Sequence, residues 1–158
     1  MFRELTRKNK QLSREECIEI LTRETRGVLS VLGDNDYPYG TPMNHFYNCD
    51  DGKIYFHCGK DGHRLDSLKK HDKVSFCTYD SGYRNEGEWA LHIKSVIVFG
   101  KIAIIDDLEK IVDITTKLSH KFTNDESYIK DEIAHHAAKT LLLELTVEHI
   151  CGKSVVES

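Results

Sequence analysis

Three extended segments in the first third of the chain are joined by connections too short for parallel strands. The segments cover residues 27–32, 37–48 and 53–58, and turn-forming residues fill the intervals 33–36 and 49–52. A parallel crossover needs a dozen or more residues, whereas short turns rich in Gly, Asp and Asn join antiparallel neighbours. These segments therefore predict an antiparallel meander of three strands.

A helix is predicted before these strands. Ser13 and Glu16 match a capping box, in which each side chain accepts a hydrogen bond from the other residue's backbone amide. The helix is expected to run to about Glu24. Its apolar face is predicted to consist of Cys17, Ile18 and Leu21.

Alternation between polar and apolar residues places further strands later in the chain. Glycines within 59–62 end the third strand, and a short helix with Leu65 and Leu68 on one face follows. A polar loop is predicted over 80–90. The later strands are predicted over 73–79, 92–105 and 141–149.

Two more helices are predicted between the last two strands. Asp106 or Asp107 can cap a helix that continues to about His120, and a second helix is expected around 125–138. The inward face of the first of these helices is predicted to contain Leu108, Ile111, Val112 and Thr115.

The order of elements predicts one mainly β, α+β domain over residues 1–158, with an antiparallel barrel and flanking helices. Regular βαβ units, which would build a doubly wound sheet, are absent. A Gly-x-Gly-x-x-Gly fingerprint is also absent, so nothing indicates a Rossmann dinucleotide site.

Charge and hydropathy restrict the partners. The net charge of −4 disfavours a broad electrostatic hold on nucleic acid or on an anionic membrane. The N-terminus has no apolar signal region, and no apolar stretch approaches the ~18 residues of a membrane span. We therefore expect a cytoplasmic protein with neither nucleic acid nor membrane as a partner.

Cysteine and histidine spacing gives no sign of a disulfide framework or a metal site. The five cysteines include no C-x-x-C pair, which favours reduced thiols. His135 and His136 are adjacent, so on a helix they point about 100° apart and pair poorly on a metal. No metal site is predicted. No nucleophile elbow is present either, although a dispersed catalytic set needs no sequence motif.

A strand, a glycine turn and a basic helix start follow one another over residues 54–68. A helix N-terminus exposes free amides, Gly59 and Gly62 let the backbone approach an anion, and Arg64 and His63 add donors. This arrangement suits a monophosphate. The alternative is a charged surface turn that merely opens a helix.

Two further stretches are weaker candidates. Pro42 makes the strand over 40–46 irregular, which can free backbone groups for the edge of a heterocycle, unless it is only a bulged edge strand. Ser95 begins an apolar core strand and can face a ligand or be satisfied locally. Trp89, in the loop 80–89, can wall a cofactor pocket or simply pack.

Taken in order, residues 40–47, 54–66 and 95–101 resemble the nitroimidazole-resistance branch of the pyridoxamine-5′-phosphate-oxidase-like FMN-binding proteins. The resemblance extends from about residue 5 to 153 and includes a C-terminal Gly152-Lys153. It implies a six-stranded FMN-binding split barrel, usually a homodimer with FMN at the subunit interface.

The resemblance also implies positions for the cofactor. The isoalloxazine ring would face the backbone of Thr41, Pro42, Met43 and Asn44. The ribityl phosphate would be lined by His57, Cys58, Gly59, Gly62, His63 and Arg64. Ser95 and Val96 would lie near the phosphate or the ring.

The implied activity is an NAD(P)H-linked reductase that passes electrons through FMN to small electrophiles such as 5-nitroimidazoles. The cofactor carries such chemistry, so no catalytic residue is assigned; His45 and His57 can supply a proton or simply fill the barrel wall. The C-terminal substrate pattern of true pyridoxamine phosphate oxidases is missing. Alternative functions are a non-enzymatic FMN-binding or sensing module and a haem- or deazaflavin-binding relative on the same barrel.

Overall fold

A computed structural model describes the whole chain, residues 1–158. The four α-helices are α1 (Arg14–Arg23), α2 (His63–Lys70), α3 (Leu108–Ser119) and α4 (Glu126–His136). The seven strands are β1 (Arg26–Leu32), β2 (Pro38–Asn44), β3 (Phe46–Asn48), β4 (Lys53–Cys58), β5 (Lys73–Tyr79), β6 (Leu91–Ile105) and β7 (Leu141–Glu157). Short 3₁₀ turns cover Lys8–Lys10, Asp34–Asp36 and Ala137–Lys139.

All strands belong to one antiparallel sheet in the order β2-β1-β5-β6-β7-β4-β3. The sheet curls, so that β2 near one edge approaches β4 near the other. The predicted α+β split barrel with flanking helices is confirmed, with seven strands in place of six. No helix has both the length and the apolar character needed to cross a membrane.

The predicted three-stranded meander is wrong, because residues 37–48 divide at His45 into two strands. β2 pairs with β1, whereas β3 pairs with β4 at the opposite edge of the sheet. The His45 amide donates to the Thr25 carbonyl (3.2 Å) and its Nε2 lies 2.8 Å from the Leu21 carbonyl. The imidazole is fully buried against Phe76, and burial lowers its pKa to about 3, so the ring is neutral.

The inner face of the curled sheet and α1 enclose the main apolar core. The Ser13–Glu16 capping box is present, and Cys17, Ile20 and Leu21 of α1 are buried, while Ile18 is half-buried. A methyl group at Gly152 would lie 2.5 Å from the Cys17 sulfur. The Gly152 backbone therefore has to pass close to α1, which gives the glycine of the Gly152-Lys153 pair a packing role.

Helix α3 is predicted correctly in position but only partly in orientation. The Asp107 side chain accepts from the Lys110 amide (2.8 Å), and Ile111, Ile114 and Leu118 are buried. Leu108 and Val112 are exposed, contrary to the prediction. The buried stripe follows i, i+3 and i+7 spacing, and the adjoining apolar positions fall outside it.

Strand β7 continues to Glu157, eight residues beyond its predicted end. Its partner β6 accompanies it over the whole length, from the Ile105–Leu142 pair to the Leu91–Glu157 pair, with one bulge at Phe99/Gly100. The polar residues near the C-terminus conceal the strand in the sequence, because long-range pairing rather than local propensity extends it.

A buried carboxylate ties α3 to the sheet. Glu144 of β7 accepts from Lys53 (2.6 Å), from Lys110 and from the buried Tyr55 hydroxyl (3.0 Å). Burial alone would raise the pKa of Glu144, but the hydrogen bonds from Lys110, Lys53 and Tyr55 outweigh it and lower that pKa to about 2. The network therefore stabilises the charged form of the carboxylate.

Replacing Glu144 is expected to destabilise the fold in a pH-dependent way. Glu144→Gln should cost about 2 kcal/mol at pH 7, less than the ~3–5 kcal/mol of a fully buried pair, because Lys53 and Lys110 are about a third exposed. Since the folded pKa lies below the ordinary value of about 4.3, the stabilisation is complete above that pH and is lost as the pH falls toward 2.

Urea unfolding of the wild type and of Glu144→Gln at pH 7 and pH 3 measures the difference in their free energies of unfolding. Glu148→Gln, on an exposed side chain of the same strand, is the control and should change little. A loss in Glu144→Gln that is equal at both pH values would contradict the assigned role of the carboxylate.

Candidate functional site

A cleft of about 260 Å³ opens where the two edges of the curled sheet face each other. It is lined by Arg26, Pro42, Met43, Asn44, His57 and Arg64. Strand β2 has no neighbour on its outer side, and β3 covers β4 only as far as Tyr55. Unpaired strand edges therefore border the cleft, and their backbone groups are available to a ligand.

Arg64 of α2 supplies the main cation of this cleft. One guanidinium nitrogen, Nη1, donates to Thr41 Oγ1 (3.0 Å), which anchors the side chain beside β2. The Nε atom is buried and has no hydrogen-bond partner. A buried donor without a partner is costly, so this guanidinium is suited to an anionic ligand.

The backbone amides at the start of α2 also lack a side-chain acceptor within the chain. Gly62 takes a positive φ of 118° and offers no side-chain cap, whereas Ser13, Asp107 and Asp125 cap the other three α-helices. The helix closes with the Asp66 amide on the Gly62 carbonyl (3.1 Å). Amides of the first turn are left for an outside acceptor, and the helix dipole favours a negative one.

A row of apolar side chains crosses the outer face of the sheet, starting at β2. Residues directly opposite in antiparallel strands share a face, so Pro42, Val28, Cys77, Ile97 and Cys151 form one row across five strands. This row is on the outer face, because Val96 and Val98 beside Ile97 are fully buried on the inner face. We call this row the outer apolar row.

Several predicted site residues thus lie together. Pro42, Met43, Asn44, His57 and Arg64 line the cleft, and Thr41 holds Arg64. Cys58, buried at the end of β4 where burial raises the pKa of its thiol, and Gly59, which follows it at the surface, do not line this cleft.

The remaining predicted residues lie elsewhere. The His63 ring packs at a tilt against Tyr39 of β2 (4.2 Å between ring centroids) and its Nε2 accepts from the Asp34 amide (3.4 Å), so this side chain lies against the β1–β2 hairpin. Val96 is fully buried in the core. Ser95 lies on β6, two strands away from β1. It pairs there with Tyr79 of β5 and Lys153 of β7.

Arg26 is a cleft residue that the sequence reasoning missed. It begins β1, is exposed, and lies directly opposite Asn44 in the β1–β2 hairpin. The register of that hairpin is the signal that finds it, because pairing outward from the 33–36 turn sets residue 26 against residue 44. The cleft therefore carries two arginines.

His57 also borders a second and larger cleft, of about 510 Å³, between the end of β4, α3 and α4. The His57 side chain is exposed in part, and desolvation by the residues around it lowers its pKa, which favours the neutral imidazole. No group of three or more His, Cys, Asp or Glu side chains is placed to hold a metal ion.

The family model described as Pyridoxamine 5′-phosphate oxidase matches residues 13–154. No curated protein sequence matches the chain.

Solved structures share the fold at low sequence identity. A candidate 5-nitroimidazole antibiotic resistance protein from Bacteroides thetaiotaomicron aligns with a TM-score of 0.75 and 17% identity over 92% of this chain and 87% of the other. A FAD-binding protein from Mesorhizobium loti gives 0.64 and 22% over 92% and 97%. A FAD and heme binding protein from Mycobacterium smegmatis gives 0.71 and 18% over 91% and 72%.

Proposed function

Because the chain belongs to the pyridoxamine 5′-phosphate oxidase family, we propose that it binds FMN in the cleft between β2 and β4 and acts as an NAD(P)H-linked reductase. Its substrates are small electrophiles such as 5-nitroimidazoles. The fold shared with a candidate 5-nitroimidazole resistance protein supports this choice of substrate.

The observation that carries the proposal is the unpartnered Arg64 Nε beside the uncapped start of α2. A phosphate monoester supplies the oxygens that both the guanidinium and the helix amides lack. The free edge of β2 over Thr41–Asn44 supports the ring, since edge amides and carbonyls can hydrogen-bond the rim of a flat heterocycle. The donor set of the cleft therefore fits FMN.

The protein's share of the chemistry is binding and orientation. FMN, when bound, supplies hydride and electron transfer between the nicotinamide and the acceptor. Arg64, Arg26 and the α2 amides neutralise the phosphate, and β2 fixes the ring edge. His57 lies at the cleft, and its lowered pKa favours the neutral imidazole, which can donate from one nitrogen.

We propose that a homodimer completes the site. The cleft is small for FMN and is open on the outer side of the sheet. The outer apolar row begins there with Pro42 and presents Val28, 37% exposed, and the half-buried Ile97 on the same face. A second copy seated on this face would cover both the row and the open side of the cleft. The five free thiols support a reducing, cytoplasmic setting.

Removing Arg64 is expected to weaken FMN binding. A charge-assisted hydrogen bond contributes about 1.5–3 kcal/mol, so Arg64→Ala should lower FMN affinity roughly tenfold or more, and Arg64→Lys should recover part of it. Quenching of flavin fluorescence during titration measures the affinity. Arg14→Ala, on an exposed arginine at the start of α1, is the control; equal affinity for all four proteins would exclude Arg64 from the site.

Reduction by a nicotinamide tests the enzymatic part of the proposal. Under anaerobic conditions, NADH or NADPH is expected to bleach the visible flavin bands of the FMN-loaded protein, and a 5-nitroimidazole should restore them. If dithionite bleaches the bands while neither nicotinamide does, the protein is an FMN-binding module rather than a reductase. A Soret band in the purified protein would instead favour a haem protein.

Charging the outer apolar row is expected to separate the subunits. The wild type should sediment at twice the 18.2 kDa chain mass, whereas Ile97→Glu should sediment as a monomer and bind FMN more weakly. Lys101→Glu, at an exposed position of the same strand, should remain dimeric. Circular dichroism confirms that each variant is folded, and a wild-type monomer would refute the dimer.

A further inference from the structure

The cleft of about 510 Å³ between β4, α3 and α4 has the size of a small-molecule site, which typically spans ~300–1,000 Å³. It is separate from the proposed FMN cleft but shares His57 with it. We propose that this second cleft binds a small aromatic carboxylate that carries a hydroxyl or amino group at its far end. This binding does not depend on the proposed function.

The floor of the cleft suits a flat apolar body. Leu118 of α3 is buried, and Ile133 of α4 and Ala137 after it are half-buried, so that all three contribute apolar surface to one lining. Burying an aromatic ring against such a surface is favourable in proportion to the area removed from water.

The rim offers one free cation to a negative group. His136 lies 3.7 Å from the carboxylate of Glu132, so these two residues are directed toward each other. Lys139 is exposed and forms no ion pair or hydrogen bond within the chain. Lys139 is therefore a cation of this lining that is free to pair with the carboxylate of a ligand.

The hydroxyl groups of the cleft have already used their protons. Thr115 donates to the Ile111 carbonyl (2.6 Å), Ser119 donates to the Thr115 carbonyl (2.7 Å), and Thr140 donates to the His136 carbonyl (2.9 Å). Their oxygens therefore offer lone pairs to a ligand. A ligand that matches them needs an O–H or N–H donor as well as its carboxylate.

A titration followed by amide NMR tests this site with 4-hydroxybenzoate as the probe. In the FMN-free protein, the probe is expected to shift the amides of Gly59, Ile133 and Ala137 in a saturable manner. The neutral 4-hydroxybenzamide, which lacks the charge, and 4-methoxybenzoate, which lacks the donor, should each bind several-fold more weakly.

Two lysine variants separate the site from general charge attraction. Lys139→Gln should weaken 4-hydroxybenzoate roughly fivefold, as expected for a part-exposed ion pair, and leave 4-hydroxybenzamide unchanged. Lys130→Gln, at an exposed position of α4 outside the cleft, should bind both probes as the wild type does.

The outcomes distinguish this site from the proposed function. If the probe causes saturable shifts but the protein fails to bind FMN, the carboxylate site is supported and the proposed reductase function is refuted. Absence of shifts at millimolar probe, or equal weakening by both lysine variants, would overturn the site while leaving FMN binding intact.

Discussion

The buried imidazole of His45 holds the chain at the point where it leaves one edge of the sheet and crosses to the other. Hydrogen bonds to the backbone of Thr25 and Leu21 and the contact with Phe76 secure this point. Lys121 donates to the His45 carbonyl as well (2.9 Å), which joins the end of α3 to the same place. At this point the chain leaves β2, which pairs with β1, and continues as β3, which pairs with β4. As a result, β2 keeps a free edge that faces β4. The proposed FMN cleft exists only because of this parting.

The sequence predicts local features of the fold better than distant pairings. Four-residue turns require antiparallel neighbours, and both predicted hairpins, at 33–36 and at 49–52, are present. The Ser13–Glu16 capping box and the Asp107 cap are also present, since each involves residues three positions apart. The division at His45 was missed because both halves of 37–48 are extended, and only partners far along the chain reveal the break.

The site shows the same division between local and long-range information. His57 and Arg64 are predicted from one continuous stretch, and both reach the cleft. Arg26 required the hairpin register. The His63 side chain contacts Tyr39 and the Asp34 amide and does not line the cleft. The contact with Asp34 joins residues 29 positions apart, so the sequence around Arg64 does not reveal it. Val96 alternates into the core because its strand neighbours β5 and β7 fix which face of β6 is buried.

The visible spectrum of the purified protein, repeated after addition of FMN and desalting, tests the central proposal most directly. Retained flavin bands with a stoichiometry of one FMN per chain are the expected result, since each chain contributes one Arg64 and one α2 N-terminus. A protein that stays colourless after FMN addition and desalting would contradict the assignment of the β2–β4 cleft as a flavin site.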